Sequence, residues 1–331
     1  MKDKEKMMQE QLGIIDSLLR DKNFSYAMAV ALNAAYYTGI GEKPKPFLAP
    51  GEDTAVIRKS AREEKVATTI AGFYALECSL GMINATSDKA PVEVLQMIAD
   101  NKVDTADALI LNRFANATWK ASQPFRSLDR ITRPIFMLAN FLPEDEVKKD
   151  YDQIRSAAHY TLAAMQQVKD QSKQMQFEKL RTLMQDTTFV VRLAKAQDSS
   201  YYASQHQNVP EFMSSSDSDT IAKSVKEQKV ATNLAGFYAL ECGICYLVTT
   251  KNELPSEILK SIINGSLSDA DKNTFSRFAN ATWKAGQPFN DLNRITRDAF
   301  VPFDFLPQAE KEKDMLQIRA AAVKLLPQLQ K

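Results

Sequence analysis

The nine letters RFANATWKA run from Arg113 to Ala121 and return unchanged from Arg277 to Ala285. They belong to a longer self-similarity that constrains the fold more than any other feature of the chain. A shift of 164 positions (Arg113 to Arg277) aligns Ser60 with Ser224 and AGFYALEC at 71–78 with 235–242. The same shift aligns RITR at Arg130 with Arg294, FLP at Phe141 with Phe305, and QIR at Gln153 with Gln317. No gap is needed from Ser60 to Leu162, and about half of the positions in that span are identical. Upstream the shift becomes 165, where Asp21, Phe24 and Tyr36-Tyr37 meet Asp186, Phe189 and Tyr201-Tyr202. The pattern predicts tandem duplication of a whole domain, with repeat units at 1–165 and 166–331.

Within each unit the signals are helical. Only ten glycines occur in 331 residues, and no strand-like alternation of useful length is present. Pro91 opens PVEVLQMIAD at a first-turn position that proline tolerates. Asp104 or Thr105 then caps the helix that carries RFANATWKA. The stretch after Pro143 begins with acids and runs without Gly or Pro to 185, as one or two long helices joining the units. The expected fold is all-α: two homologous helical bundles related by a pseudo-twofold and joined by a long helical connection.

The longest apolar windows, 66–86 and 230–250, could span a bilayer by length. Each carries a central acid, Glu77 or Glu241, and one mid-membrane acid costs roughly 2.5–3.5 kcal/mol on insertion scales. A buried core helix is therefore expected, and no membrane partner. Lys plus Arg total 42 against 41 Asp plus Glu, which disfavours nucleic acid as a partner. Three cysteines are too few for a disulfide framework, and the charged start MKDKEKMMQEQ lacks a signal-peptide core. Both point to the cytoplasm.

Glu77 and Glu241 stand in line with core residues at helical spacing, so each needs a cationic partner or a proton. The repeated helix supplies candidates. Arg113, Asn116, Lys120 and Gln123 form one polar stripe, as do Arg277, Asn280, Lys284 and Gln287. Phe114, Ala117, Thr118 and Ala121 form the opposite, core-facing stripe. Arg130 and Arg133, with Arg294 and Arg297, can flank the same region, and Gln153, Arg155, Gln317 and Arg319 form a third cluster. In one reading Glu77 bridges to one of these arginines as a structural pair. In the other, the cations and amides converge with Tyr74 and Trp119, or Tyr238 and Trp283, on a pocket for a small anionic or polar ligand.

Other motifs point to core packing. CGIC at Cys242 to Cys245 lies inside the apolar helix, and the other repeat has Gly81 in place of Cys245. His159 and His206, the only histidines, lack the spacing of a di-metal bundle, and Val323 stands where the repeat would place His159. No cofactor and no metal are expected. The apolar helix of residues 27–37, from Ala27 to Tyr37, is a candidate homodimer face. The expected function is a helical binding or scaffold protein, not an enzyme, taking a small anionic ligand or a protein partner. The alternative is an enzyme using Glu77 or Glu241 with Arg and Lys on an anionic substrate.

Overall fold

A computed structural model describes residues 2–39, 41–43, 54–123, 134–186, 188–190, 192–193, 218–286 and 298–330. Among them the chain is all-helical. In chain order the α-helices are α1 (Lys2–Leu19), α2 (Lys22–Gly39), α3 (Thr54–Ser87), α4 (Pro91–Ala99), α5 (Thr105–Ser122) and α6 (Glu144–Met165). They continue with α7 (Lys173–Gln185), α8 (Ser218–Lys251), α9 (Pro255–Asn264), α10 (Asp269–Ala285) and α11 (Gln308–Leu325). The stretch expected as one or two helices after Pro143 is two, α6 and α7, broken near Lys169. None of the described helices is long and apolar enough to cross a membrane.

The helix ends are written locally. Pro91 starts α4, and the Glu93 carboxylate accepts a hydrogen bond from the Ala90 backbone N–H at 3.2 Å. Pro255 and Glu257 do the same for α9 at Leu254. Asp104 caps α5 by accepting from Asp107 N, and Ser268 caps α10 by accepting from Asp271 N. Gly265 ends α9 in the left-handed region at φ 72°, where a side chain would be strained.

Four helices make the centre. α3 packs on α5, α8 packs on α10, and all four touch one another. α4 and α6 cover α3 and α5 on one side; α11 covers α8 and α10 on the other, with α2 against α8 and α11. The buried apolar side chains of all these helices form one continuous cluster. At its middle the rings of Phe114 (α5) and Phe278 (α10) stack with centroids 4.2 Å apart. Small residues let the helices approach. A Cβ on Gly243 (α8) would overlap the Phe275 ring of α10, and one on Gly81 (α3) would overlap the Arg277 guanidinium.

The polar stripe of α5 is not a surface face. Arg113, Asn116, Lys120 and Gln123 are buried, as are Phe114, Ala117, Thr118 and Ala121 opposite them. A helix enclosed on all sides must carry its polar residues inside, where each needs a partner.

Candidate functional site

Those partners cross between the sequence repeats. Lys120 Nζ on α5 donates to Glu241 Oε1 on α8 at 2.5 Å, and Lys284 Nζ on α10 donates to Glu77 Oε1 on α3. All four side chains are 0% exposed. The expected bridge from Glu77 to an arginine such as Arg113 is therefore corrected: the partner is a lysine of the other repeat. Lysine wins because its single ammonium reaches across the helix interface, while the guanidinium of Arg113 is held elsewhere. Burial acts to lower the Lys120 pKa, but the Glu241 carboxylate outweighs it and holds the ammonium above its ordinary value.

A thiol and an amide complete each pair, crossed in the same way. Cys78 Sγ donates to Glu77 Oε1 at 2.7 Å, and its second contact is Asn280 Oδ1 at 3.9 Å. Cys242 Sγ donates to Glu241 Oε1 at 2.9 Å and meets Asn116 Oδ1 at 3.7 Å. Burial, then the adjacent glutamate, pushes both thiols up, so neither is a thiolate nucleophile. Cys245 of the CGIC motif is also buried, and its Sγ lies 4.0 Å from Glu241 Oε2. Gly81 holds the matching position on α3, and Glu77 Oε2 there is buried without a protein partner.

Two aspartates that sequence reasoning missed close the clusters. Asp150 on α6 accepts a hydrogen bond from Asn116 and feels Lys120, and burial pushes its pKa up to about 7. Asp314 on α11 feels Lys284, and burial pushes it up to about 8. Each residue shows part of its surface to solvent, yet the Asp314 Oδ2 atom itself is buried without a partner. A signal was present: Asp150 and Asp314 match across the repeat, whereas the neighbours Tyr151 and Asp152 become Met315 and Leu316.

These aspartates set a pH dependence. A carboxyl that titrates near 3.8 unfolded and near 7 or 8 folded takes up a proton on folding at any pH between. The stability they contribute is whole below the unfolded value and is lost as pH rises through the folded one. The melting temperature is expected to fall between about pH 5 and about pH 9, and to fall less in the Asp150→Asn/Asp314→Asn double variant. Equal slopes in the two proteins would show that these groups do not titrate as described.

The arginines lie at the rim. Arg113 donates to Ala139 O at 3.3 Å and to Asn140 Oδ1. Arg277 makes a two-pronged pair with Asp304 at 2.5 and 3.1 Å and lies 4.5 Å from the Phe303 ring centre. The aromatics are engaged with one another, again across the repeats. Half-buried Trp119 packs on Phe136, which packs edge-on against Tyr238; Trp283 packs on Phe300, which packs edge-on against Tyr74. Gln123 turns back to Trp119 O at 3.3 Å. Arg130, Arg133, Gln287, Arg294 and Arg297 lie outside the described residues. Of the third cluster, Arg155 donates to Ala99 O, and Arg319 faces an outer groove beside α2.

The structure thus joins Glu77 to Lys284, Asn280, Cys78 and Asp314, and Glu241 to Lys120, Asn116, Cys242 and Asp150. It leaves Arg113, Arg277 and the tryptophans to separate partners. Among the described residues no group of three or more His, Cys, Asp or Glu is placed to hold a metal ion. No family model matches the chain, and neither a curated protein nor a solved structure does.

Proposed function

We propose that this chain is a non-enzymatic helical scaffold or binding protein, formed by tandem duplication of one unit (1–165 and 166–331). In this reading the two units interlock about a pseudo-twofold axis through the Phe114–Phe278 stack, and the connection between them is α6 and α7. The crossed pairs Lys120–Glu241 and Lys284–Glu77 carry the proposal. A glutamate serving a reaction or a ligand needs an accessible face, and each of these is instead fully buried with one oxygen held by a buried lysine. Arg277, Trp119 and Trp283 likewise spend their polar or aromatic faces on neighbours, and Arg113 gives its two terminal nitrogens to Ala139 and Asn140 while its Nε is buried without a partner. Recognition then falls to the outer surface, with the α2 face as the candidate homodimer contact. A cytoplasmic location is part of the same reading, supported by three cysteines that are all free and buried.

The test is a melting screen of the full chain against small carboxylates and phosphates at millimolar concentration. No saturable rise in melting temperature is expected. A ligand at roughly one hundred times its Kd adds about 2.7 kcal/mol, so binding of useful affinity would be visible. A saturable rise that disappears in Glu77→Gln would sink the scaffold reading in favour of a ligand pocket.

One observation favours a second reading, an enzyme acting on an anionic substrate. Asp314 carries a buried partnerless oxygen beside Lys284, and burial pushes its pKa up to about 8, so it holds a proton that a general acid could donate. The melting screen separates the two readings, since a substrate analogue must first bind.

A further inference from the structure

The outer face of α11 beside α2 carries an open groove of about 420 Å3, lined by Ala31, Leu316, Arg319, Ala320, Val323 and Lys324. Its apolar residues are displayed to solvent: Leu316 is 40% exposed and Val323 53%, and Val30, next to Ala31 on α2, is 45% exposed. These are three of the five large hydrophobic side chains exposed among the described residues, so the apolar surface is concentrated here. Leu316, Ala320 and Val323 follow i, i+4, i+7 spacing, the seam of a helix prepared to meet another helix.

The chain supplies its own comparison. The same positions on α6 are Asp152, Ser156 and His159, and the sequence repeat places Lys195 where α2 has Val30. One copy of this face is polar and the other is apolar, although their interior neighbours agree. A requirement of the shared core would have made the two faces alike. The apolar version therefore answers to something other than the shared core.

Charge identifies what that is. Along α11, Glu310 and Lys313 pair with each other at 2.7 Å, which leaves the outer stripe with the acid Glu312 towards its start and the cations Arg319 and Lys324 towards its end. An acidic partner helix would suit Arg319 and Lys324 but would meet Glu312 at the other end. A second α11 running antiparallel suits both ends. Glu312 and Lys324 lie twelve residues apart, about 18 Å along the helix at 1.5 Å per residue. A twofold axis midway, at position 318, sets Glu312 of one copy against Lys324 of the other, twice. It also brings Leu316 of one copy onto Ala320 of the other. Antiparallel pairing opposes the helix dipoles favourably as well.

We infer that a second copy of this chain docks on the α2–α11 groove, forming a homodimer through antiparallel pairing of α11. The inference rests on the reading of the chain as a binding or scaffold protein and gives the candidate α2 contact its partner helix and register.

Sedimentation of the full chain across the micromolar range tests it. The expected result is a species of twice the 37.1 kDa monomer mass. Leu316→Glu/Val323→Glu is expected to be monomeric. Lys324→Glu alone and Glu312→Lys alone are each expected to weaken the dimer by roughly tenfold or more in Kd, and Glu312→Lys/Lys324→Glu to restore it. These positions lie outside the core, so circular dichroism and melting should match the parent and separate lost dimerisation from lost folding. A monomer at every concentration, whether or not it captures some other helix, overturns the inference. So does a dimer that survives Leu316→Glu/Val323→Glu, or one that the double charge swap fails to restore. None of these results touches the melting screen, which tests the scaffold reading separately.

Discussion

Replacing Lys284 by methionine is expected to cost about 3–5 kcal/mol of unfolding free energy, read from urea denaturation of the full chain. The lysine leaves behind a glutamate with no exposed surface, whose Oε2 is already without a partner and whose Oε1 keeps only the Cys78 thiol. The methionine is apolar and of similar length, so packing changes little and the loss reports the stranded charge. Glu77→Gln is expected to be similarly damaging, because it strands the ammonium of Lys284. Changing both together, Glu77→Leu with Lys284→Met, is expected to recover most of the loss. A buried pair exchanged for apolar residues is often neutral, or more stable by about 1–4 kcal/mol. The exposed pair Lys272–Asp269 is the control, at less than about 1 kcal/mol. If Lys284→Met behaves like the Lys272 control, the pair is not a dry one.

Phe114→Ala is expected to cost about 3–5 kcal/mol, the usual range for deleting a fully buried aromatic. The ring has no exposure and stacks on Phe278 of α10 at 18° between planes. Phe278→Ala should match it. The double variant should lose less than the sum of the two, because both deletions open the same cavity and the second ring has already lost its partner. Simple additivity would place the two rings in independent environments. Phe114→Leu should cost far less, since it keeps most of the volume.

Much of the architecture was legible because it is encoded locally. Pro91, Asp104 and the acid-first opening of α6 marked helix ends through groups a few residues apart. The burial of Glu77 followed from its place in line with core residues, and with it the need for a cation. The identity of that cation was not legible, and the repeat itself is the reason. Lys120 and Lys284 sit in identical nine-residue surroundings, so the letters do not distinguish pairing within a repeat from pairing across repeats. Arginine also drew attention for its bidentate geometry, yet the guanidinium of Arg277 is taken by Asp304, which the sequence offers only as one more acid after a phenylalanine. Asp150 and Asp314 were hidden differently. They lie in stretches dense with Lys, Glu and Asp, where a buried carboxyl looks like an ordinary solvated one until neighbouring helices enclose it. The polar stripe of α5 did supply the cation, as Lys120; what periodicity leaves open is that both faces of the helix are covered, since it identifies two faces and no more.

The crossing of the pairs is the claim on which the rest depends, and double-mutant cycles on global unfolding measure it directly. Truncations of Glu77, Glu241, Lys120 and Lys284 should be combined in all four glutamate–lysine pairs. Coupling of about 2 kcal/mol or more is expected for Glu77 with Lys284 and for Glu241 with Lys120. Glu77 with Lys120, and Glu241 with Lys284, should couple by less than about 0.5 kcal/mol. Strong coupling between Glu77 and Lys120, with none between Glu77 and Lys284, would mean that each repeat closes its own core, and would contradict the interlocked account.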